Sequence, residues 1–249
     1  MNGKPLRFGD ITDALRFGLG LFKDMPLSNM GYAAVFMLLG LLLLTAIVVL
    51  GVSPLVLPFA GGFMLLGPVL LTGYFELALC SEQQRKPSLA VAFAAFGKAP
   101  SGLWMVALAC VFLFLIWITD AGVLYSFTLG GNNFGYDLGW LADSGGQVLH
   151  FELWGSLMGA IIAYMIFVIS AFSVPLIYES RAGLVDGITT SARTVLGNFL
   201  TTLVWGLLLG TVVITSILLL PLLLLTLPVM AYASFYLYRQ AFPIGNELT

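Results

Sequence analysis

Charged residues are scarce in this chain. Of its 249 residues, 9% are Asp, Glu, Lys or Arg and 60% are hydrophobic, and the mean hydropathy is +1.03. A soluble domain carries about 25% charged residues. This composition excludes a water-soluble globular protein and predicts that most of the chain faces lipid. The net charge of −2, with no cluster of more than two adjacent cations, excludes nucleic-acid binding.

Histidine and cysteine are also rare. His150 is the one histidine, and the two cysteines are Cys80 and Cys110. No Gly-x-Ser-x-Gly, His-Glu-x-x-His or Gly-x-x-x-x-Gly-Lys motif occurs. The sequence therefore predicts no catalytic residues, no cofactor and no metal site, and we expect that the protein is not an enzyme.

Long uncharged segments define the membrane spans. A spanning helix needs roughly 20 apolar residues, so two of the uncharged segments are long enough for two spans each. We place their turns at residues 51–54, where Gly and Pro occur, and at residues 215–221. Charged residues such as Lys98, Asp120, Glu152 and Glu179 limit the other two. The sequence thus predicts six spans, within residues 33–75, 99–119, 153–178 and 194–238.

The cations provide an independent test of this count. With six spans, every Lys and Arg falls on one side, and the opposite loops contain none. The positive-inside rule assigns the cation-rich side to the cytoplasm. We therefore expect both termini in the cytoplasm, and no cleaved leader, because cations interrupt the first 25 residues. The ten cations are Lys4, Arg7, Arg16, Lys23, Arg85, Lys86, Lys98, Arg181, Arg193 and Arg239.

The hydropathy pattern repeats three times. We predict one integral membrane domain over residues 1–249, built from units at about 8–80, 88–178 and 184–242. Each unit begins with a short cytoplasmic helix whose apolar residues recur at spacings of three and four, followed by a two-helix hairpin. Such a helix lies along the membrane surface or continues into the next span. We place the breaks before the spans that follow at Pro26, Pro100 and Gly197. Each second span contains a proline and ends in a charged residue: Pro68 and Glu76, Pro175 and Glu179, Pro228 and Arg239.

Glu76 is the most informative single residue. A carboxylate beside a span is expensive in lipid and is often a proton or ion site, although the end of a span tolerates charge better than its centre. Both interpretations of Glu76 stay open, and an interfacial position is favoured. A polar network joining the units is a further prediction, and its members are Glu82, Arg85, Lys86, Glu179 and Arg181.

Two further groups lie near the membrane surfaces. Four cations beside the spans are candidate contacts for anionic lipid headgroups, each favoured by about 1 kcal/mol near an anionic leaflet: Arg16, Lys23, Lys98 and Arg193. On the other side, residues 120–152 form the one long loop. Asp143, His150 and Glu152 in it show no metal-ligand spacing, so a solvated acidic loop is favoured over a metal site.

The chain resembles a known family in four short segments. Residues 67–70 (Gly-Pro-Val-Leu), 73–77 (Gly-Tyr-Phe-Glu-Leu), 87–89 (Pro-Ser-Leu) and 173–176 (Ser-Val-Pro-Leu) are similar to bacterial integral membrane proteins of the domain of unknown function 2189. The resemblance extends over about residues 13–242. Members are sometimes labelled cytochrome c oxidase subunit I. Haem and copper ligation in such a subunit needs several intramembrane histidines, which this sequence lacks.

The resemblance implies a bacterial inner-membrane protein with no established activity. From the residues we favour a non-enzymatic membrane subunit or accessory factor, with the lipid bilayer and other membrane proteins as partners. The alternatives are a small-solute or ion transporter, suggested by the repeats, the prolines and Glu76, and a lipid-interacting protein, suggested by the short amphipathic helices.

Overall fold

Helices joined by short turns form the described part of the chain. The computed structural model describes residues 3–56, 58–60, 71–130 and 146–244. The α-helices in these ranges are α1 (Phe8–Asp24), α2 (Pro26–Val49), α3 (Thr72–Glu82), α4 (Leu89–Lys98), α5 (Ser101–Leu129), α6 (Gln147–Ser170), α7 (Ser173–Tyr178), α8 (Leu184–Gly197), α9 (Phe199–Leu218) and α10 (Leu223–Ala241).

Five helical segments in the described ranges are long and apolar enough to cross a membrane. They are Pro26–Val49, Ser101–Leu129, Gln147–Tyr178, Phe199–Leu218 and Leu220–Ala241. The predicted second span falls largely on residues 57 and 61–70, which lie outside the described residues. Pro68, the predicted proline of this span, is one of them. The structure therefore confirms a helical, multi-pass membrane protein.

The two predicted turns within the long uncharged segments are confirmed. A 3₁₀ turn at Ser53–Leu55 follows α2, and another at Leu220–Leu222 separates α9 from α10. Short helices also end where the sequence predicted breaks. The chain turns before Pro26, at Pro100, and at Asn198 directly after Gly197. Proline fits these places because the first turn of a helix does not need its missing N–H.

The prediction that Asp120 ends the third span is wrong. Helix α5 continues through Asp120 to Leu129. The polar side chains near and beyond the predicted end do not interrupt it: Thr119, Ser126 and Thr128 each donate a hydrogen bond to the carbonyl four residues earlier, so their hydroxyls are satisfied within the helix. Likewise, α6 begins at Gln147 rather than at residue 153. The predicted long loop is therefore helical at both ends.

Helix α10 is the centre of the bundle. In its most apolar stretch 56% of the residues are buried, compared with 22% for α5. Helix α1 packs along α10 in the antiparallel direction, since Lys4 N–H donates to the Ala241 carbonyl and the Phe17 ring contacts Tyr236. A Cβ atom on Gly18 would lie 2.4 Å from the Val229 carbonyl oxygen. The first helix is thus packed against the last span.

Asn29 joins these helices at the start of α2. Its side chain is fully buried, and its Oδ1 accepts a hydrogen bond from the Tyr232 hydroxyl of α10. Its Nδ2 donates to the carbonyls of Leu21 and Phe22 at the end of α1, at 3.4 and 3.3 Å. Its own carbonyl accepts from Tyr74 of α3. Asn29 therefore joins three other helices, α1 and α10 through its side-chain amide and α3 through its backbone carbonyl.

Replacing Asn29 by leucine is expected to destabilise the protein by about 1–3 kcal/mol, because the Tyr232 hydroxyl and the two carbonyls lose a buried partner. The measurement is the unfolding midpoint in mild detergent. Met30→Leu, at the neighbouring exposed position, is the control and should leave the midpoint unchanged. Equal midpoints for both variants would show that Asn29 does not hold the helices together.

Candidate functional site

The candidate site is a cluster of ionised side chains at the end of the bundle where α3, α7 and α10 terminate. Glu76 lies on α3 and is 5% exposed. Its Oε1 accepts from Lys98 Nζ at 3.0 Å and from Arg85 Nη2 at 3.4 Å, and its Oε2 accepts from the Tyr178 hydroxyl at 2.8 Å. A buried carboxylate is tolerated when it is paired and hydrogen-bonded in this way.

These partners set the protonation of Glu76. Burial of the carboxyl opposes ionisation, but the hydrogen bonds from Tyr178, Lys98 and Arg85 and the charge of Lys98 outweigh it. The pKa of Glu76 therefore lies below its ordinary value of 4.5. Hydrogen bonds to the charged form and nearby cations both have this sign. Glu76 is consequently an ionised anchor at neutral pH.

Glu76 is expected to give the protein a pH-dependent stability. Because its pKa is lowered by folding, the stabilisation from its ionised form is fully present above its ordinary value of 4.5 and is lost as the pH falls through the lower folded-state value. The difference in unfolding midpoint between the wild type and Glu76→Gln should therefore shrink on acidification. A difference that stays constant or grows would contradict the ion pairs described above.

Arg239 links the second half of the cluster. Its guanidinium donates to both carboxylate oxygens of Glu179, at 2.6 and 2.8 Å, and to both oxygens of Glu82, at 2.8 and 3.1 Å. The Tyr238 hydroxyl also donates to Glu179 at 2.6 Å. The planar fork of arginine fits such two-point contacts. One side chain of α10 therefore holds the ends of α3 and α7.

Arg181 extends the same cluster to the end of α10. It donates from Nη1 to the Tyr238 hydroxyl at 3.0 Å and to the Phe242 carbonyl at 2.8 Å. It also lies 3.8 Å from Glu179. Positive charge near the last carbonyls of a helix is favourable because of the helix dipole. Arg181 thus ties the segment after α7 to the C-terminal end of α10.

The predicted polar network exists in large part. Glu82, Arg85, Glu179 and Arg181 all belong to it, whereas Lys86 is exposed. The sequence did not show that Arg239 joins Glu82 to Glu179. Arg239 lies 157 residues from Glu82 and 60 residues from Glu179. Its position after the last span, matching Glu76 and Glu179 in the other units, was the available signal.

The four cations predicted to contact lipid headgroups differ in their surroundings. Arg16 is 81% exposed and lies 3.4 Å from Asp13. Lys23 and Arg193 are also exposed. Lys98 instead pairs with Glu76, although its side chain is 55% exposed. The structure thus leaves Arg16, Lys23 and Arg193 open to an external anion and assigns Lys98 to the ion-pair cluster.

The acidic loop is described only at its end. Asp143 lies outside the described residues, His150 is exposed, and Glu152 is half-buried on α6. Among the described ranges, no three His, Cys, Asp or Glu side chains are close enough to hold a metal ion.

The apolar helices and the ion pairs at their ends define a multi-pass α-helical integral membrane protein. Residues 56–179, about half of the chain, match the model of a family described as predicted integral membrane protein, the domain of unknown function 2189. The chain belongs to this family. The match is narrower than the residues 13–242 expected from the sequence. No curated protein and no solved structure matches the chain.

Proposed function

We propose that this protein is a non-enzymatic subunit or accessory factor of the bacterial inner membrane. The observation that carries the proposal is the use of the charged groups. Glu76, Glu179 and Arg239 all form their hydrogen bonds and ion pairs with other residues of the same chain. A transport site needs polar groups that are available to a solute, and a catalytic site needs groups available to a substrate.

The proposed architecture has six spans in three units, with both termini in the cytoplasm. The ion-pair cluster supports it, because the ends of α3, α7 and α10 meet there, as three helices running in the same direction would. The contacts between units are also similar. Tyr178 of the second unit donates to Glu76 of the first, and Tyr238 of the third donates to Glu179 of the second.

The outer surface of the bundle supports a role in assembly. Helices α2, α5 and α9 expose large apolar side chains along their length, among them Leu42, Leu108, Phe112, Leu200 and Leu207. Lipid or the helices of a partner protein cover such a surface in a membrane. Short helices that carry exposed cations, such as α1 with Arg16 and Lys23, are proposed to contact anionic headgroups at the cytoplasmic surface.

The test is extraction of native membranes in a gentle detergent, followed by affinity purification and mass spectrometry. A defined set of membrane proteins at fixed stoichiometry is the expected result. A second sample carries Leu108→Ser and Phe112→Ser on the exposed face of α5. If a partner docks on this face, the variant should recover less of that partner than the wild type does. Recovery of the chain alone, with solute flux abolished by Glu76→Gln, would contradict the proposal and favour a transporter.

A further inference from the structure

Glu152 is a half-buried acid that none of the contacts above explains. It lies in the second turn of α6, and its Oε1 atom is shielded from solvent without a hydrogen-bond partner. The hydroxyl of Tyr125 on α5 is also shielded and unpartnered. Buried polar atoms nearly always have a partner. The Glu152 Oε1 atom and the Tyr125 hydroxyl both lack a hydrogen-bond partner near the same contact between α5 and α6, and this requires an explanation.

The two groups flank one contact between α5 and α6. The Tyr125 ring lies 5.8 Å from the ring of Phe151, the residue directly before Glu152. One turn further along, Gly155 of α6 faces Leu124 of α5 at ordinary van der Waals distance. Leu129, Val148 and Phe151 form a small apolar cluster beside them. The Glu152 carboxyl is thus next to an apolar helix interface rather than in a solvated loop.

Among the residues that the structure describes, no Lys or Arg forms an ion pair with Glu152. The sequence has no Lys or Arg between Lys98 and Arg181. Glu152 is separated from Glu179 and its cations by 27 residues of mostly helical chain, or roughly 40 Å at about 1.5 Å per residue. An ionised carboxylate in apolar surroundings is strongly unfavourable unless it is paired. Its charge must therefore be removed by something outside the chain.

We propose that Glu152 is a proton-binding site at the end of the bundle opposite the ion-pair cluster, accepting a proton from the solution on that side. The site goes beyond the accessory role proposed above and does not rest on it. Protonation removes the charge of the shielded carboxyl, and a neutral acid is less costly than a carboxylate in apolar surroundings. His150, exposed on the same helix, is the nearest other titratable group in sequence.

The groups on the other elements packed against α6 do not compensate the charge of Glu152. Helix α8 meets α6 near Val168 and Phe172, at the far end, where Asp186 and Arg193 lie on α8. The 3₁₀ turn Ser53–Leu55 carries no ionisable side chain. On α5, Asp120 is another acid and cannot neutralise a carboxylate. The protonation of Glu152 therefore depends on the solution and on burial.

The test is carbodiimide modification of the full-length protein in liposomes. Dicyclohexylcarbodiimide partitions into the bilayer and reacts with protonated carboxyl groups. We expect mass spectrometry to find the adduct on Glu152, with a yield that falls as the pH is raised from about 5 to about 9 across the range where a buried Glu titrates. Glu76 should stay unmodified, because its hydrogen bonds and the nearby Lys98 favour the ionised form. Glu152→Gln should remove the signal.

Three further results decide the proposal. Loss of labelling in NaCl but not in choline chloride would mean that Glu152 binds a metal cation, and would overturn the proton assignment. An unlabelled Glu152 at every pH would overturn it as well. The infrared difference spectrum between the wild type and Glu152→Gln gives a second measurement. A carbonyl band of a protonated acid that disappears in the variant is expected, and a carboxylate band alone would contradict the proposal.

Discussion

Arg239→Met is expected to destabilise the protein by about 3–5 kcal/mol, the usual effect of removing one partner of a buried ion pair. The Arg239 side chain is 12% exposed and that of Glu179 is 10% exposed. Without the guanidinium, Glu179 keeps only the Tyr238 hydroxyl and the more distant Arg181 as partners. Glu82 loses both of its hydrogen bonds to Arg239.

The size of this effect distinguishes a structural ion pair from a superficial one. Arg16→Met is the matched control, since Arg16 is 81% exposed and forms one long contact with Asp13. Exposed pairs contribute about 0–1 kcal/mol. The unfolding midpoints of the two variants in mild detergent are the measurement. If Arg239→Met is no less stable than Arg16→Met, Arg239 does not hold Glu179 and Glu82 together.

A double-mutant cycle separates the pair from its surroundings. Adding Glu179→Gln to Arg239→Met removes the unpaired buried charge. We therefore expect the double variant to lose less stability than the sum of the single variants, by about 0.5–3 kcal/mol. Arg239→Lys should recover only part of the loss, because an ammonium group cannot form the two-point contacts to both carboxylates. Strict additivity would contradict a direct interaction.

Gly18→Leu is expected to separate α1 from α10. A Cβ atom at position 18 would lie 2.4 Å from the Val229 carbonyl oxygen and 3.3 Å from the Ala233 nitrogen. Both are backbone atoms, so no rotation of a side chain can relieve the overlap. Overpacking of a close contact costs about 1–3 kcal/mol. Gly18→Ala should show the same effect to a smaller extent.

Gly20→Ala tests whether the effect comes from the helix contact. Gly20 is on the same helix, and a Cβ atom there has no neighbour within 4 Å. Alanine should stabilise the helix at that position by up to about 1 kcal/mol. The measurements are the unfolding midpoint and the rate of tryptic cleavage at Arg16 and Lys23, which should rise only when α1 detaches. Equal behaviour of Gly18→Leu and Gly20→Ala would contradict the close packing of α1 on α10.

The parts of the fold that the sequence predicted are those set locally. Pro26 and Pro100 mark helix starts, because proline lacks the N–H that a helix interior needs. The turns near residues 51–54 and 215–221 follow from the length of the uncharged segments and from Gly and Pro. Hydropathy also located the membrane-facing helices. The predicted end of the third span was wrong because a single Asp120 does not stop a helix, and the hydroxyls of Thr119 before it and Ser126 after it bond to carbonyls of the same helix.

The parts of the site that the sequence missed depend on contacts between distant segments. Glu76 was recognised as a carboxylate beside a span, but its partner Tyr178 is 102 residues away. Asn29 looked unremarkable beside an apolar run, and only the packing of α1, α3 and α10 around it shows its role. The position of Gly18 in α1 fits a helix on the membrane surface as well as it fits a helix packed against α10. A single sequence does not record which helices lie side by side.

Labelling of single cysteines with a membrane-impermeant maleimide in oriented vesicles tests the proposed topology most directly. Cys80 and Cys110 are buried, so the parent protein provides a low background. With six spans and cytoplasmic ends, Lys4→Cys, Gln83→Cys and Asp186→Cys react from the cytoplasmic side, whereas Leu50→Cys and Gln147→Cys react from the other. Labelling of Leu50→Cys and Gln83→Cys from the same side would show that they are not separated by a single span, and would contradict the three-unit architecture.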